Sequence, residues 1–364
     1  MTKHVLVLGG DGIGPEVTAA AEAVLRTLDE RHGLAIAFEH ALVGGACFDA
    51  TGQFITDDTM RRAKAADAVL FGSEGGPKWD SLELTGPPEA RSGLTRLRRE
   101  LELFANLRPI RPFDAMLSHS TLKPEVVKGV DFIIVRELCS GIYFGEPRGI
   151  ERKSDGLLHG FDTQDYSEPE IERIAHAAFA LARSRRKKLT SVDKANVMES
   201  GILWRRTVTR IGERHYPEVR LDHLYVDNAA MQIIRDPRQF DVIVTDNLFG
   251  DILSDGSAMI TGSLGMLPSA ALGAPREDGR RPGLYEPVHG SAPDIAGKGL
   301  ANPLGAILSA ALLLTHGLGR PDLAGLVEKA VGRALDDGVC TPDLGGRAGT
   351  SQVTAAVIEA LGQI

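Results

Sequence analysis

Short apolar runs alternate with amphipathic stretches along this chain of 364 residues, and that alternation limits the possible folds more than any other feature. A buried parallel strand needs a run of about four to eight apolar residues. The chain then needs a crossover, usually a helix, to return to the same end of the sheet. Val5–Leu8, Ile36–Val43, Ala68–Phe71, Val130–Val135, Leu189–Val192, Leu221–Val226 and Val242–Thr245 read as strands. Helical periodicity appears in Glu168–Arg185, Ile202–Arg214 and Leu323–Leu335, and Pro15 and Pro321 suit a first helical turn. The spacing predicts an α/β protein with a largely parallel sheet.

The chain is too long for one ordinary core, so two domains are expected. Two glycine- and proline-rich stretches, Gly72–Gly93 and Leu267–Gly283, break the alternation, and loops of that length are usually functional. Tyr143–Gly149 reads as a hairpin-like excursion. The expected division is one α/β domain from residues 1–103 and 262–364, and a second from 104–261. A net charge of −8 disfavours nucleic acid or an anionic membrane as the main partner. No apolar run approaches the roughly 18 residues of a membrane span. Cys47, Cys139 and Cys340 are odd in number and lack C-x-x-C spacing, so neither a disulfide framework nor a zinc site is expected. With no signal-peptide pattern at the first residues, the expectation is a cytoplasmic protein.

Four features carry chemistry. Gly10-Asp11-Gly12-Ile13-Gly14 has G-x-G-x-G spacing with an aspartate inside, and no acidic residue closes a following strand about 20 residues on. It reads as a tight strand-to-helix turn rather than a Rossmann fingerprint. Asp251 and Asp255 share one helix face, where like charges repel unless a cation binds between them. Such a pair also occurs on solvated faces, but Leu248, Phe249, Ile252 and Leu253 make this helix unusually apolar. Arg98, Arg108 and Arg136 are the cationic feature, and Arg136 directly follows Phe132-Ile133-Ile134-Val135 at a strand end. Arginine grips planar carboxylates with a two-pronged fork. Lys194 and Asp227 each end a strand-like run. Lysine there is often a solubilising residue, yet a buried one can act as a base near neutrality.

Taken in order, GlyAspGlyIleGlyProGlu (10–16), GlyGlyProLysTrpAsp (75–80), LeuPheAlaAsnLeuArgPro (103–109), GlyIleTyrPheGlyGluProArgGly (141–149), AspLysAlaAsnVal (193–197), AspAsnLeuPheGlyAspIleLeuSerAsp (246–255), GlySerLeuGlyMetLeuProSer (262–269) and the 286–303 segment resemble one family nearly end to end. It is the isocitrate/isopropylmalate dehydrogenase family of metal-dependent β-decarboxylating dehydrogenases. The resemblance implies two α/β domains about a cleft, not a Rossmann fold, and a homodimer whose clefts each take residues from the other subunit. It implies NAD and Mg²⁺ or Mn²⁺ as cofactors and a 2-hydroxy diacid, 3-isopropylmalate, as substrate in leucine biosynthesis. Arg98, Arg108 and Arg136 would hold the substrate carboxylates, with Leu94 and Val197 beside its apolar group. Tyr143, Lys194 and Asp227 would be catalytic. Asp227, Asp251 and Asp255 would hold the metal. Glu286, His289, Gly290, Ser291, Ala292, Asp294, Ile295 and Asn302 would line the cofactor site, Asp294 favouring NAD through its ribose contact.

Three departures matter. Thr95 stands where the family pattern has a second leucine, Glu89 is displaced by a small insertion, and Asp246 adds a charge beside the metal helix. The first two leave a D-malate- or tartrate-type dehydrogenase as the alternative. A magnesium-dependent phosphoryl-transfer enzyme is the rival from another class, but the chain has no G-x-x-x-x-G-K-[ST] loop.

Overall fold

The computed structural model describes residues 2–82, 86–277 and 279–364. In chain order the strands are β1 (Lys3–Gly10), β2 (Ile36–His40), β3 (Ala68–Ser73), β4 (Ala105–Ile110), β5 (Phe132–Glu137), β6 (Gly145–Arg152), β7 (Leu158–Thr163), β8 (Lys188–Asp193), β9 (Arg220–Tyr225), β10 (Val242–Thr245), β11 (Pro268–Leu272) and β12 (Gly283–Pro287). Ten of them form one sheet in the order β2-β1-β3-β12-β11-β4-β5-β10-β8-β9, while β6 and β7 pair apart as a hairpin. Both flanks are parallel, as the strand–helix alternation requires. The centre, β12-β11-β4-β5, is antiparallel.

That centre is where the sequence reading falls short. β11 lies inside Leu267–Gly283, which reads as a break, and β4 lies inside the Arg108 motif. Proline and three small or polar residues in ProSerAlaAlaLeu hide β11 from strand propensity. It is a strand because both neighbours hydrogen bond to it and all five residues are buried. The expected helices at 168, 202 and 323 are present as Glu168–Ser184, Glu199–His215 and Pro321–Asp336. The Gly72–Gly93 loop contains short helices at Pro77–Asp80 and Pro88–Arg91, and its residues 83–85 lie outside the described residues.

Strand alternation sorts side chains between the two sheet faces. Val5 and Val7, Leu107, Val135, Val242 and Val244, Ala270 and Tyr285 join one core that runs across the whole sheet under its helices. The opposite face carries two separate cores. Leu6, Leu8, Phe71, Leu97, Ala271 and Leu284 form one, and Ile110, Phe132, Ile134, Ile243, Leu253 and Ala258 the other. Arg108 and Arg136 are in step with Ile110 and Ile134, and Glu286 is in step with Leu284. All three therefore emerge on the face where the two outer cores part.

No helix among the described residues is long and apolar enough to cross a membrane. The three cysteines are unpaired, and burial pushes the Cys139 thiol up to about 12, so it is unreactive at neutral pH.

Candidate active site

The gap between the two outer cores is roofed by two helices. Gly93–Glu100 packs through Leu97 into the first core and carries Arg98 in its last turn. Asn247–Thr261 packs through Leu253 into the second and carries Asp251 and Asp255. Asp246 accounts for where this second helix begins. Its Oδ1 accepts the Phe249 N–H at 2.8 Å, which caps the first turn. Its Oδ2 accepts from Gln164 Nε2 at 2.9 Å, and burial pushes the carboxyl up to about 7.

Three arginines and two aspartates meet here. Arg108, 6% exposed, donates Nε–H to Asn106 Oδ1 at 2.9 Å and Nη1–H to Ser254 Oγ at 2.6 Å and Asp255 Oδ1 at 2.7 Å. Arg136, 3% exposed, donates Nη1–H to Asp251 Oδ1. The Tyr143 hydroxyl donates to the other oxygen of Asp251 at 3.0 Å. Burial and the neighbouring Arg108 charge pull Arg136 down to about 10, with Asp251 pulling the other way, so it stays cationic at neutral pH. Arg98 donates to Glu286 Oε1 at 2.6 Å. Burial works against its charge, but Glu286 outweighs it and the guanidinium sits above its ordinary value. The buried Arg98 Nε–H has no acceptor among the described residues. Arg98, Arg136 and Tyr143 border a cleft of about 330 Å³ whose walls also include Thr95 and Asn247, a size suited to a small ligand.

Leu94 and Val197 are the expected apolar contacts. Leu94 packs against the first outer core, and Val197 is 72% exposed after β8. Thr95 lines the cleft. Glu89 forms an ion pair with Arg99 in the loop before the arginine helix.

Lys194 and Asp227 are joined to each other, Nζ to Oδ1 at 2.5 Å, and that bond holds the Asp227 carboxyl below its ordinary value. Among the described residues no hydrogen bond or ion pair ties either one to Asp251, Asp255, Arg136 or Tyr143. Asp227 opens the helix Val226–Arg235 and shares a face with Met231 and Ile234, which are 60% and 61% exposed. Asp255 lies on a similar face of its own helix with Ile252 and Met259, 62% and 41% exposed. Exposed apolar faces of this kind beside Asp227 and Asp255 mark surfaces suited to being covered.

The glycine motif after β1 is a tight turn, with Gly10 and Gly12 at φ +72° and +58°. The Asp11 carboxylate accepts the backbone N–H groups of Gly45, Ala46 and Gly75 at 2.7, 2.8 and 2.9 Å. Ile13 N–H donates to the Ser291 carbonyl at 2.8 Å, so the turn anchors the loop expected to line the cofactor site. In that loop His289 Nε2 is buried without a partner among the described residues, and burial lowers the ring's pKa. Ala292 takes a positive φ of 38°, and Asp294 is exposed. Asn302 differs: its amide donates to Asp343 at 2.9 Å and accepts Leu304 N–H at 3.0 Å, which starts the next helix. A Cβ on Gly12 would lie 1.9 Å from the Ser291 carbonyl oxygen. Gly12→Ala is therefore expected to cost about 1–3 kcal/mol and to speed hydrogen exchange at residues 288–295. Unchanged exchange there would separate the turn from the loop.

Several neighbours of the charged groups escape the sequence reading. Asn106, Ser254, Asn247 and Tyr166 are ordinary polar residues until the sheet brings them to the arginines. Asn106 sits two residues before Arg108 on the same strand face, which a strand reading of 105–110 would have revealed.

The family model described as isocitrate/isopropylmalate dehydrogenase matches residues 4–360. A protein of Ruegeria pomeroyi named 3-isopropylmalate dehydrogenase is 55% identical over 96% of this chain and 94% of its own. One of the same name from Hahella chejuensis is 52% identical over 100% of this chain and 99% of its own. Among solved structures, isocitrate dehydrogenase from Methylococcus capsulatus superposes with a TM-score of 0.86 at 33% identity, covering 99% of each chain. A β-decarboxylating dehydrogenase from Thermococcus kodakarensis gives 0.80 at 36% identity over 100% of this chain and 97% of that one. The chain belongs to the isocitrate/isopropylmalate dehydrogenase family.

Proposed function

We propose that this protein oxidatively decarboxylates (2R,3S)-3-isopropylmalate to 4-methyl-2-oxopentanoate and CO₂ in leucine biosynthesis, with NAD and Mg²⁺ or Mn²⁺, as a cytoplasmic homodimer. The convergence of Arg108, Arg136 and Tyr143 on Asp251 and Asp255, with Arg98 lining the same cleft as Arg136 and Tyr143, carries the reading, and full-length relatives of that name support it.

The donor set fits a hard divalent cation, since Asp251 and Asp255 offer only carboxylate oxygens. No group of three metal-binding side chains gathers within one chain among the described residues, so Asp227 of the partner subunit would complete it. The loop around His289 and Asp294 fits NAD, with a neutral buried imidazole and an exposed carboxylate suited to ribose hydroxyls. What comes from outside the chain is Lewis acidity at the C2 hydroxyl and hydride acceptance by the nicotinamide.

Everything else falls to the chain itself. The arginines fix both carboxylates, so only one is placed to leave. Lys194 Nζ, reaching the cleft from the other subunit, takes the C2 hydroxyl proton as hydride departs. After CO₂ is lost, Tyr143 gives its hydroxyl proton to C3 of the enolate.

Following NADH absorbance across a panel of 2-hydroxy diacids with Mg²⁺ or Mn²⁺ tests the reading. 3-Isopropylmalate should be the best substrate; if it is inert while D-malate or isocitrate turns over, the substrate assignment is wrong. A second reading, decarboxylation of D-malate or tartrate, is favoured by Thr95 rather than Leu94 facing the cleft. The shared site makes its own prediction. At a Mn²⁺ concentration just sufficient for the wild type, Lys194→Ala and Asp251→Asn homodimers should each be nearly inactive, and random mixing of their subunits should restore about a quarter of wild-type activity. Half of the mixed dimers are heterodimers, and each has one intact cleft. Zero recovery after subunit exchange would mean that each cleft is built from one chain.

A further inference from the structure

Arg136 is buried, cationic and held by more than its charge partner. Asn247, the first residue of the Asp251 helix and fully buried, accepts both Nε–H and Nη2–H of Arg136 on one oxygen, at 3.0 and 2.7 Å. The amide is itself held at two further points. Its Nδ2 donates to the Ser140 carbonyl at 3.1 Å, and its backbone N–H donates to the Tyr166 hydroxyl oxygen at 2.9 Å.

Each of those partners is fixed in turn. The buried Glu137 carboxyl accepts Ser140 N–H at 2.9 Å and Cys139 N–H at 3.1 Å. Gly141, at φ +77°, lets the chain pass so close to Tyr166 that a Cβ would lie 2.5 Å from its hydroxyl oxygen. Three segments therefore meet on Asn247: the end of β5, the turn after it, and Tyr166, two residues before the Glu168–Ser184 helix.

A guanidinium is a flat fork with five N–H donors in a fixed pattern. With its Nε/Nη2 edge occupied by Asn247, it presents the Nη1 end, the end bonded to Asp251, to the cleft. An aspartate at 247 would neutralise the charge that a substrate carboxylate needs. A neutral amide fixes the plane and leaves the charge available. We infer that Asn247, braced by Tyr166 and Glu137, is a positioning residue that aims Arg136 at the substrate carboxylate. The inference rests on the function proposed above.

A double-mutant cycle tests it. Asn247→Ala should raise KM for the diacid by about 10- to 100-fold with KM for NAD within about twofold. In an Arg136→Lys background, where no planar fork remains to be aimed, the same change should add less than about threefold. Tyr166→Phe keeps the ring and removes only the brace, so it should raise the same KM more mildly and be equally silent in the Arg136→Lys background. A readout independent of turnover is the exchange-protected arginine Nε–H resonance that Arg136→Lys removes. It should be protected in the wild type and lost in Asn247→Ala. Equal KM effects in both backgrounds, or a protected Nε–H in Asn247→Ala, would overturn the inference. Absence of turnover with every diacid in the wild type would overturn the proposed function, and the Nε–H resonance would still decide how Arg136 is held.

Discussion

Replacing Lys194 with alanine should lower kcat by about a thousandfold or more, within the range that positioned acid–base groups contribute, while hardly changing the melting temperature. The two halves of this expectation have different origins. Lys194 has one strong partner, Asp227, and the pair is open to solvent, with side chains 25% and 63% exposed. Exposed ion pairs contribute about 0–1 kcal/mol to stability. Removing one from a chain of this length shifts the melting temperature by no more than about 2–4 °C. The catalytic loss has no such discount, because no other basic side chain is assigned to take the hydroxyl proton. Parallel measurements of kcat and thermal unfolding check this. A loss of activity smaller than about tenfold would take Lys194 out of the mechanism, and a large fall in melting temperature would make any loss of activity uninformative.

Asp251→Asn should raise the Mn²⁺ concentration needed for half-maximal activity by about a hundredfold or more, since a direct ligand matters at least as much as the outer-shell groups that cost 10–100-fold. Asp251 is also the electrostatic centre of the cleft. It accepts from Arg136 and Tyr143, and its Oδ1 lies 3.4 Å from Arg108 Nη1. The amide preserves the shape but removes the charge that balances two buried guanidiniums. A stability loss of about 1–3 kcal/mol is expected, at the low end for a disrupted buried pair because Asp251 is itself partly exposed. Mn²⁺ binding followed by electron paramagnetic resonance separates the metal effect from the loss of turnover. An unchanged metal titration would remove Asp251 from the ligand set.

The parts of this protein legible in its sequence are those set by short-range pattern. Strand–helix alternation identified the parallel flanks, because each element there buries its own apolar face next to a chain neighbour. The G-x-G-x-G spacing was enough to read residues 10–14 as a turn rather than a Rossmann fingerprint, and the turn is what forms. Arg98, Arg108, Arg136, Tyr143, Asp251 and Asp255 were legible as residue types in ordered motifs, and in the structure they touch one another or share one cleft. The antiparallel centre was not legible. β11 is a strand only because β4 and β12 flank it, and its own residues carry little strand propensity.

What the sequence determined by itself is the chemistry available: a set of arginines, a pair of aspartates one helical turn apart, and a tyrosine, in a chain that must fold as α/β. The tertiary structure decided where that chemistry points. Alternation along β4 and β5 turns Arg108 and Arg136 to the face where two cores separate, a relation between segments far apart in the chain. Long-range pairing also recruited Asn247 and Tyr166 behind Arg136 and gave Asp246 its place as a helix cap. It left Lys194 and Asp227 joined to each other beside exposed apolar helix faces. The reason is physical: local pattern sets which face of an element is apolar, but only packing brings faces from distant segments within hydrogen-bonding distance.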